Sequence, residues 1–137
     1  MEEVISFLKE NKIFYLATIN GDKPRIRPFG FEMEFEGKLC FTTNSLKQCS
    51  NQMKANSNVE ICSCSPDMDL SMVWIRITGR AVFLDSIPAK EKAFKIMPAL
   101  KEGFKTADNP YFEIFYLENA ICEFHTLIGG LQKTIKL

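Results

Sequence analysis

Two stretches of this chain hold residues whose types and spacing can do chemistry on an anion. In RIRPFGF, residues 25–31, Arg25 and Arg27 share strand spacing with Phe29 and Phe31, so one face carries two guanidinium groups followed by two aromatic rings. Carried back from Phe35, the same phase turns both arginines toward the core side of a sheet, where a charge needs a partner. Glu32, Glu34 and Glu36 fall on the opposite face by that alternation, so the expected partner is a bound anion. Pro28 leaves open a bulge that turns one arginine outward. Gly30 leaves room for a flat ligand lying against the backbone.

The second stretch is FTTNSLK, residues 41–47. A strand runs into Thr42, Thr43, Asn44 and Ser45 and then into a helix whose first turn holds Lys47. Free N–H groups, the positive end of the helix dipole and hydroxyl donors together make a phosphate cradle. A cation in a first turn opposes the dipole, and a bound anion accounts for Lys47 better than helix stability does. Simpler readings stand beside this one: Ser45 as a plain N-cap, Thr42 and Thr43 as ordinary strand residues, each arginine as a solvated edge residue. The pairing favours a site, because a short hairpin sets the arginine strand beside the cradle. Gln52, farther along the helix, either bonds the ligand or is a surface residue.

These residues need a scaffold, and the pattern describes one. Val4, Ile5, Phe7 and Leu8 predict an amphipathic helix over 2–10 that ends near Asn11. IFYLATI, 13–19, is a buried strand, and the Asn-Gly in NGDKP predicts an antiparallel hairpin into the arginine strand. Glu36-Gly37 turns the chain into KLCFTT, and Ser45 with Gln48 forms a capping box that starts a helix at about Leu46. VEICSCS is a further strand. MVWIRITGRAVFLD, 72–85, is a long one with a bulge or sharp coiling expected at Gly79. Residues 88–97 read as a helix with Pro88 near its start, and EGFKTADNP as loop. FEIFYL and AICEFHTL read as two strands split at Glu118-Asn119, and Gly129-Gly130 turns into a last strand, KTIKL. Six or seven antiparallel strands with two or three helices predict an α+β barrel in a single domain, 1–137.

Composition narrows the function classes. With 46% hydrophobic and 25% charged residues the chain is neither disordered nor fibrous. Lys plus Arg and Asp plus Glu are each 17, so no overall field draws it to nucleic acid or an anionic membrane. No apolar run approaches the roughly 18 residues of a membrane span, and MEEVISFLKENK is too acidic for a signal peptide, which places the protein in the cytoplasm as an expectation. Cys40, Cys49, Cys62, Cys64 and Cys122 are odd in number and lie mostly in apolar runs, as reduced thiols packed as small hydrophobes do. CSC is not a CxxC pair, Cys62 and Cys64 share a strand face without catalytic work, and the single histidine, His125, offers little to complete a metal site. His125 reads as a structural or rim residue, with proton donor or haem ligand as the alternative.

The order of LATINGDKPRIRPFGF, FEGKLCFTTNSLKQCSNQMKANSNVEIC and WIRITGRAVF resembles the pyridoxamine 5'-phosphate oxidase-like FMN-binding split barrels, and within them the small flavoproteins grouped with nitroimidazole-resistance reductases. The likeness covers nearly the whole chain and is strongest from Phe14 to Phe83. It implies a six-stranded antiparallel split β-barrel and a homodimer with two FMN sites in its interface. By the same likeness Arg27 holds the FMN phosphate and Pro28, Phe29, Gly30 and Phe31 border the ring system. Thr42 and Thr43 contact ribityl and phosphate, Lys47 falls in the phosphate turn, and Trp74 stands beside the flavin, with core or interface packing as its other reading. The turn here reads SLKQ rather than a serine followed by two basic residues, and the oxidase's C-terminal basic substrate motif is absent, which argues against pyridoxamine phosphate oxidation. The activity implied is that of an FMN-dependent oxidoreductase of the flavin reductase or nitroreductase kind, with NADH or NADPH as donor and a small-molecule acceptor. The cofactor carries the chemistry and no side chain is expected to be catalytic. The alternative is a flavin- or haem-binding module without turnover.

Overall fold

Twelve elements follow one another along residues 1–137, all described by the structure, a computed structural model. They are α1 (Glu2–Asn11), β1 (Phe14–Asn20), β2 (Lys23–Phe29), β3 (Met33–Phe35), β4 (Lys38–Asn44), α2 (Gln48–Ala55), β5 (Asn58–Cys64), β6 (Val73–Leu84), α3 (Ile87–Ile96), α4 (Pro98–Phe104), β7 (Phe112–Thr126) and β8 (Gly130–Lys136). The strands form one antiparallel sheet in the order β2-β1-β5-β6-β7-β4-β3, with β8 added to β7. The α+β split barrel is therefore as expected in class, with eight strands and four helices.

The sheet curls until its ends meet through aromatic rings. Phe14 of β1 lies 5.5 Å from Phe41 of β4, Phe29 of β2 lies 6.3 Å from Phe115 of β7, and Phe41 stacks on Phe115 at 5.4 Å. Such pairs contribute about 0.5–1.5 kcal/mol each beyond burial, so they hold the barrel closed where no backbone ladder does. α1 plugs one side by burying Val4, Ile5 and Leu8, and α2 adds Cys49 and Met53. On the other face of β4 and β7 a second core forms under α3 and α4, where Phe112 stacks on Phe94 at 5.0 Å and on Phe104 at 4.5 Å. Ser86 caps α3 by accepting from the Ala89 N–H, with Pro88 in the first turn.

Several local expectations change. The β1–β2 loop is Gly21-Asp22 with φ +66° at Gly21, so asparagine ends the strand and glycine takes the first turn position. Pro24 and Pro28 cause no bulge, because β2 is an edge strand whose register with β1 is unbroken from Lys23 to Phe29. Strand phase holds from Arg25 to Phe29 but not on to Phe35. Residues 30–32 leave the extended ladder to cross from β2 at one sheet edge to β3 at the other. Alternation ends there, and Phe31, Glu32 and Met33 are all buried, so Glu32 is not on the wet face.

Residues 112–126 form one 15-residue strand, not two. Its interruption is a bulge: Thr78 pairs Ile121 and Arg80 pairs Glu118, which sets Gly79 against both Asn119 and Ala120. The extra residue is thus on β7, with Asn119 at φ 53°, and Gly79 makes the space for it. α4 occupies the start of the stretch read as loop, because its Pro98 starts a helix as readily as Pro88 does. α2 begins at Gln48 rather than Leu46, and the Ser45 capping box does not form. The Asn44 Oδ1 instead accepts the Leu46 N–H at 2.9 Å and the Asn44 carbonyl the Lys47 N–H, winding 44–47 into a turn.

Candidate functional site

Arg27 stands on the inner face of β2, opposite Leu16 and one rung from Thr18, as strand phase predicts. The guanidinium is half-buried and both of its Nη atoms are engaged by neutral groups. Nη1 donates to Thr18 Oγ1 at 2.7 Å and to the Leu16 carbonyl at 3.3 Å, and Nη2 donates to Gln52 Oε1 at 2.7 Å. Thr18 also donates to the same Gln52 oxygen, closing a triangle between β1, β2 and α2. No carboxylate of the chain lies within ion-pairing distance of Arg27, although the molecule pairs Lys54, Arg76, Lys90 and Lys133 elsewhere. A positive charge partly withdrawn from water and held only by dipoles leaves its field open to an anion. Arg25, next on the same face, is exposed and bonds only its neighbour's carbonyl.

The second polar feature is Thr43. Its side chain is 6% exposed and its Oγ1 is the one buried side-chain polar atom without a hydrogen-bond partner. It lies on the inner face of β4, two positions past Phe41 and level with Glu113 of β7. The Glu113 carboxylate is already committed to Ser50 in the first turn of α2 and to Lys54. An orphaned hydroxyl in a well-packed barrel is the mark of a partner that the chain does not provide.

Lys47 is the N-cap residue of α2, not a first-turn one, and no side chain caps that helix. Lys47 is exposed and unpaired. Burial raises the pKa of the Cys49 thiol, and the positive charges of Arg27 and Lys47 oppose the rise. Gln52 ties Arg27 to α2, and Ser50 ties α2 to Glu113, the β7 residue opposite Thr43. Beside them a depression of about 350 Å³ runs between the β1–β2 turn and α2, lined by Gly21, Gln48 and Gln52.

Other expected members stand apart. Thr42 faces the opposite side of β4 from Thr43, since neighbours on a strand alternate, so the two hydroxyls do not share a cradle. Phe29 is partly buried and packs on Phe14 and Phe115, and Phe31 is buried in the second core. Pro28 is exposed on the outer face, level with Tyr15. A Cβ at Gly30 would make ordinary contacts, 3.6 Å from the Lys12 carbonyl, so the fold itself does not require glycine there. The Asn44 Oδ1 is spent on its own turn. Gln52 is neither surface nor free: it is buried and pins Arg27.

Trp74 is on the outer face of β6, across the sheet from Arg27. It stacks on His125 at 4.1 Å with planes 9° apart, and the Arg76 guanidinium lies 5.1 Å from its ring. His125 meets Glu123 at 3.3 Å. Cys62 and Cys64 are exposed on this same face, contrary to the expectation of packed thiols, whereas Cys40, Cys49 and Cys122 are buried. Burial pushes the Cys40 thiol up to about 11 and Cys122 to about 12, and it raises Cys62 as well, so these are not thiolate nucleophiles. No group of three potential metal ligands occurs, and no helix is long and apolar enough to cross a membrane.

Sequence reasoning missed Thr18, Ser50 and Glu113. Thr18 carried a signal, as the polar member of the Phe14, Leu16, Thr18 face in an otherwise buried strand. Ser50 and Glu113 are far apart in the chain, and only the packing of α2 over β7 joins them.

Comparison with known proteins bears on this geometry. The family model described as pyridoxamine 5'-phosphate oxidase matches residues 1–119. No curated protein sequence matches the chain. A NimC/NimA family protein from Clostridium acetobutylicum is 36% identical, over 100% of this chain and 93% of its own, with a TM-score of 0.89. A haem-binding protein from Mycobacterium smegmatis matches at TM-score 0.76 and 13% identity, over 98% of this chain and 57% of its own. An FAD-binding protein from Mesorhizobium loti matches at 0.64 and 16%, over 88% and 91%. The last two share the fold and, at such identity, nothing more is read from them.

Proposed function

The chain belongs to the pyridoxamine 5'-phosphate oxidase family of split barrels, and from that premise we propose that it binds FMN and acts as an FMN-dependent oxidoreductase toward a small acceptor. The observation that carries the reading is Arg27: a half-buried guanidinium fixed by Thr18, Leu16 and Gln52 with no carboxylate in reach. A phosphate monoester supplies the missing charge and accepts bidentate hydrogen bonds. Thr43 Oγ1 supplies a donor without a use inside the chain, and the uncapped α2 amides and Lys47 complete a set suited to a phosphate.

Bound flavin supplies hydride and electron transfer. The chain's own share is binding and orientation. Thr18 and Gln52 hold the guanidinium in one rotamer, so little is lost in ordering it on binding. The buried thiols stay protonated and do not compete as nucleophiles. Trp74 cannot line the same protomer's Arg27 site, because the two face opposite sides of the sheet. In the homodimer that the reading includes, it belongs to a flavin site only through the subunit interface. NADH or NADPH is the proposed electron donor.

The visible spectrum of purified protein tests this first. Flavin bands, or recovery of them when colourless protein is titrated with FMN, support the reading. A Soret band would move it to a haem carrier, and a protein that takes up neither would end it. Anaerobic reduction by NADH or NADPH and reoxidation by nitroaromatics or quinones then separates an enzyme from a flavin carrier.

A further inference from the structure

Cys62 and Cys64 are a pair of metal-ligating side chains that the flavin reading leaves unused. β5 alternates strictly, with Val59, Ile61 and Ser63 turned into the barrel and Glu60, Cys62 and Cys64 turned outward, so both thiols stand exposed on one face. Their backbone is fixed. β6 pairs β5 along its whole length, setting Cys62 opposite Arg76 and Cys64 opposite Trp74, and β1 pairs Cys62 on the other side through Tyr15.

That fixed spacing decides what the pair can hold. Residues two apart in a strand have Cβ atoms roughly 6.7 Å from each other, whereas a disulfide needs about 3.5–4.5 Å. The thiols therefore cannot close on each other. A bridging ion can join them: two metal–sulfur bonds of about 2.3 Å laid end to end span about 4.6 Å, and sulfurs leaning toward each other cover the rest. Such a bridge is linear and two-coordinate. No third ligand is at hand, because His125 is stacked on Trp74 with its Nε2 at Glu123, so neither the four ligands of zinc nor the oxygen shell of magnesium or calcium is provided. A soft cation satisfied by two thiolates remains, and Cu(I) is the one that sulfur ligands select. Burial raises the Cys62 pKa, the charges of Cys64 and Glu60 add to the rise and Arg76 opposes it, so Cys62 keeps its proton until a cation displaces it.

We propose that Cys62 and Cys64 form a two-thiolate site for Cu(I) on the outer face of the sheet. On binding, two S–H bonds release their protons to solvent and two Cu–S bonds form; copper remains Cu(I) and no electron is transferred. The bis-thiolate complex carries one negative charge, and Arg76 stands in the same row of the ladder as Cys62 to offset it. The site does not depend on the flavin reading, because Arg27 lies on the inner face of the sheet and this pair on the outer one.

Anaerobic titration of the reduced full-length protein with Cu(I), delivered as its bicinchoninate complex, tests the proposal. Loss of the complex's colour reports transfer, and the fluorescence of Trp74, the single tryptophan, reports position. One Cu(I) per chain is expected, with quenching of Trp74, and an equal concentration of Zn(II) should not displace it. Cys62→Ser and Cys64→Ser, both at exposed positions, should each lower the affinity tenfold or more. Undiminished uptake in both serine variants, loss in only one of them, displacement by Zn(II), or uptake without quenching would each overturn the site, as would no transfer from the chelator. Where copies of the chain meet on this face, Ile26→Asp, which breaks that contact, is the protein titrated. Failure here with intact FMN binding leaves the proposed function standing, and the reverse result leaves this site standing.

Discussion

Arg27 is held by oxygens that carry dipoles but no charge, and this is a sensitive design. Arg27→Ala should weaken FMN binding by about 1.5–3 kcal/mol, the worth of charged hydrogen bonds, read by fluorescence titration of apo-protein. Gln52→Glu is the sharper substitution. It would give Arg27 an internal counter-ion, so the apo-protein should gain in melting temperature while FMN affinity falls about tenfold or more. A rise in affinity would show that Gln52 is not a positioning residue for Arg27. Glu32 offers a separate test. It is 7% exposed, and desolvation raises its carboxyl to about 7 against an ordinary 4.5, with Lys9 opposing the shift. The folded state therefore holds this proton where the unfolded chain has released it. The contribution is fully present below about pH 4.5, declines as pH rises toward 7, and its loss is on the order of 3 kcal/mol. Urea denaturation at pH 5 and pH 8 should show this decline in the wild type and not in Glu32→Gln.

At the scale of elements, two joints have measurable consequences. The bulge that bends β6 and β7 needs a residue without a side chain at position 79: a Cβ there would sit 3.1 Å from Leu117 Cβ and 3.3 Å from the Glu118 carbonyl. Gly79→Ala should cost about 1–3 kcal/mol by overpacking, seen as a lower melting temperature. The start of α2 behaves in the opposite sense. Lysine is a poor N-cap, and Lys47→Ser should add about 1 kcal/mol of stability while weakening FMN binding. Stability and affinity moving in opposite directions is the signature of a residue kept for a ligand; if both rise, Lys47 does not touch the phosphate.

For the whole molecule, the outer face of the sheet is the outstanding feature. Ile26 is 67% exposed there, and Tyr15, Cys62 and Trp74 share the face in adjoining rows of the ladder. A sheet face with exposed apolar residues beside the Arg76, Glu60 and Glu123 ion pairs can serve as an interface between copies, and net charge of zero puts no overall repulsion in its way. The proposed homodimer predicts twice the 15.7 kDa chain mass in light scattering, and Ile26→Asp should shift it to monomer. A monomer that still binds FMN tightly would place the flavin wholly within one chain.

Local pattern by itself determined the elements and most of their pairing. Alternation, the Asn-Gly hairpin, Pro88 at a helix start and Gly79 in a long strand all act over a few residues, and each appears in the fold. The arginine face was legible for the same reason, since Arg25, Arg27 and Phe29 belong to one unbroken strand. Only tertiary structure decided what those residues meet. It put Gln52 and Thr18 on Arg27, separated Thr42 from Thr43, buried Glu32 in the crossing between two sheet edges, and set Trp74 on the far face. Period and propensity describe a chain's neighbours in sequence. Burial and charge compensation depend on the closing of the barrel, which brings together residues 25 to 63 positions apart.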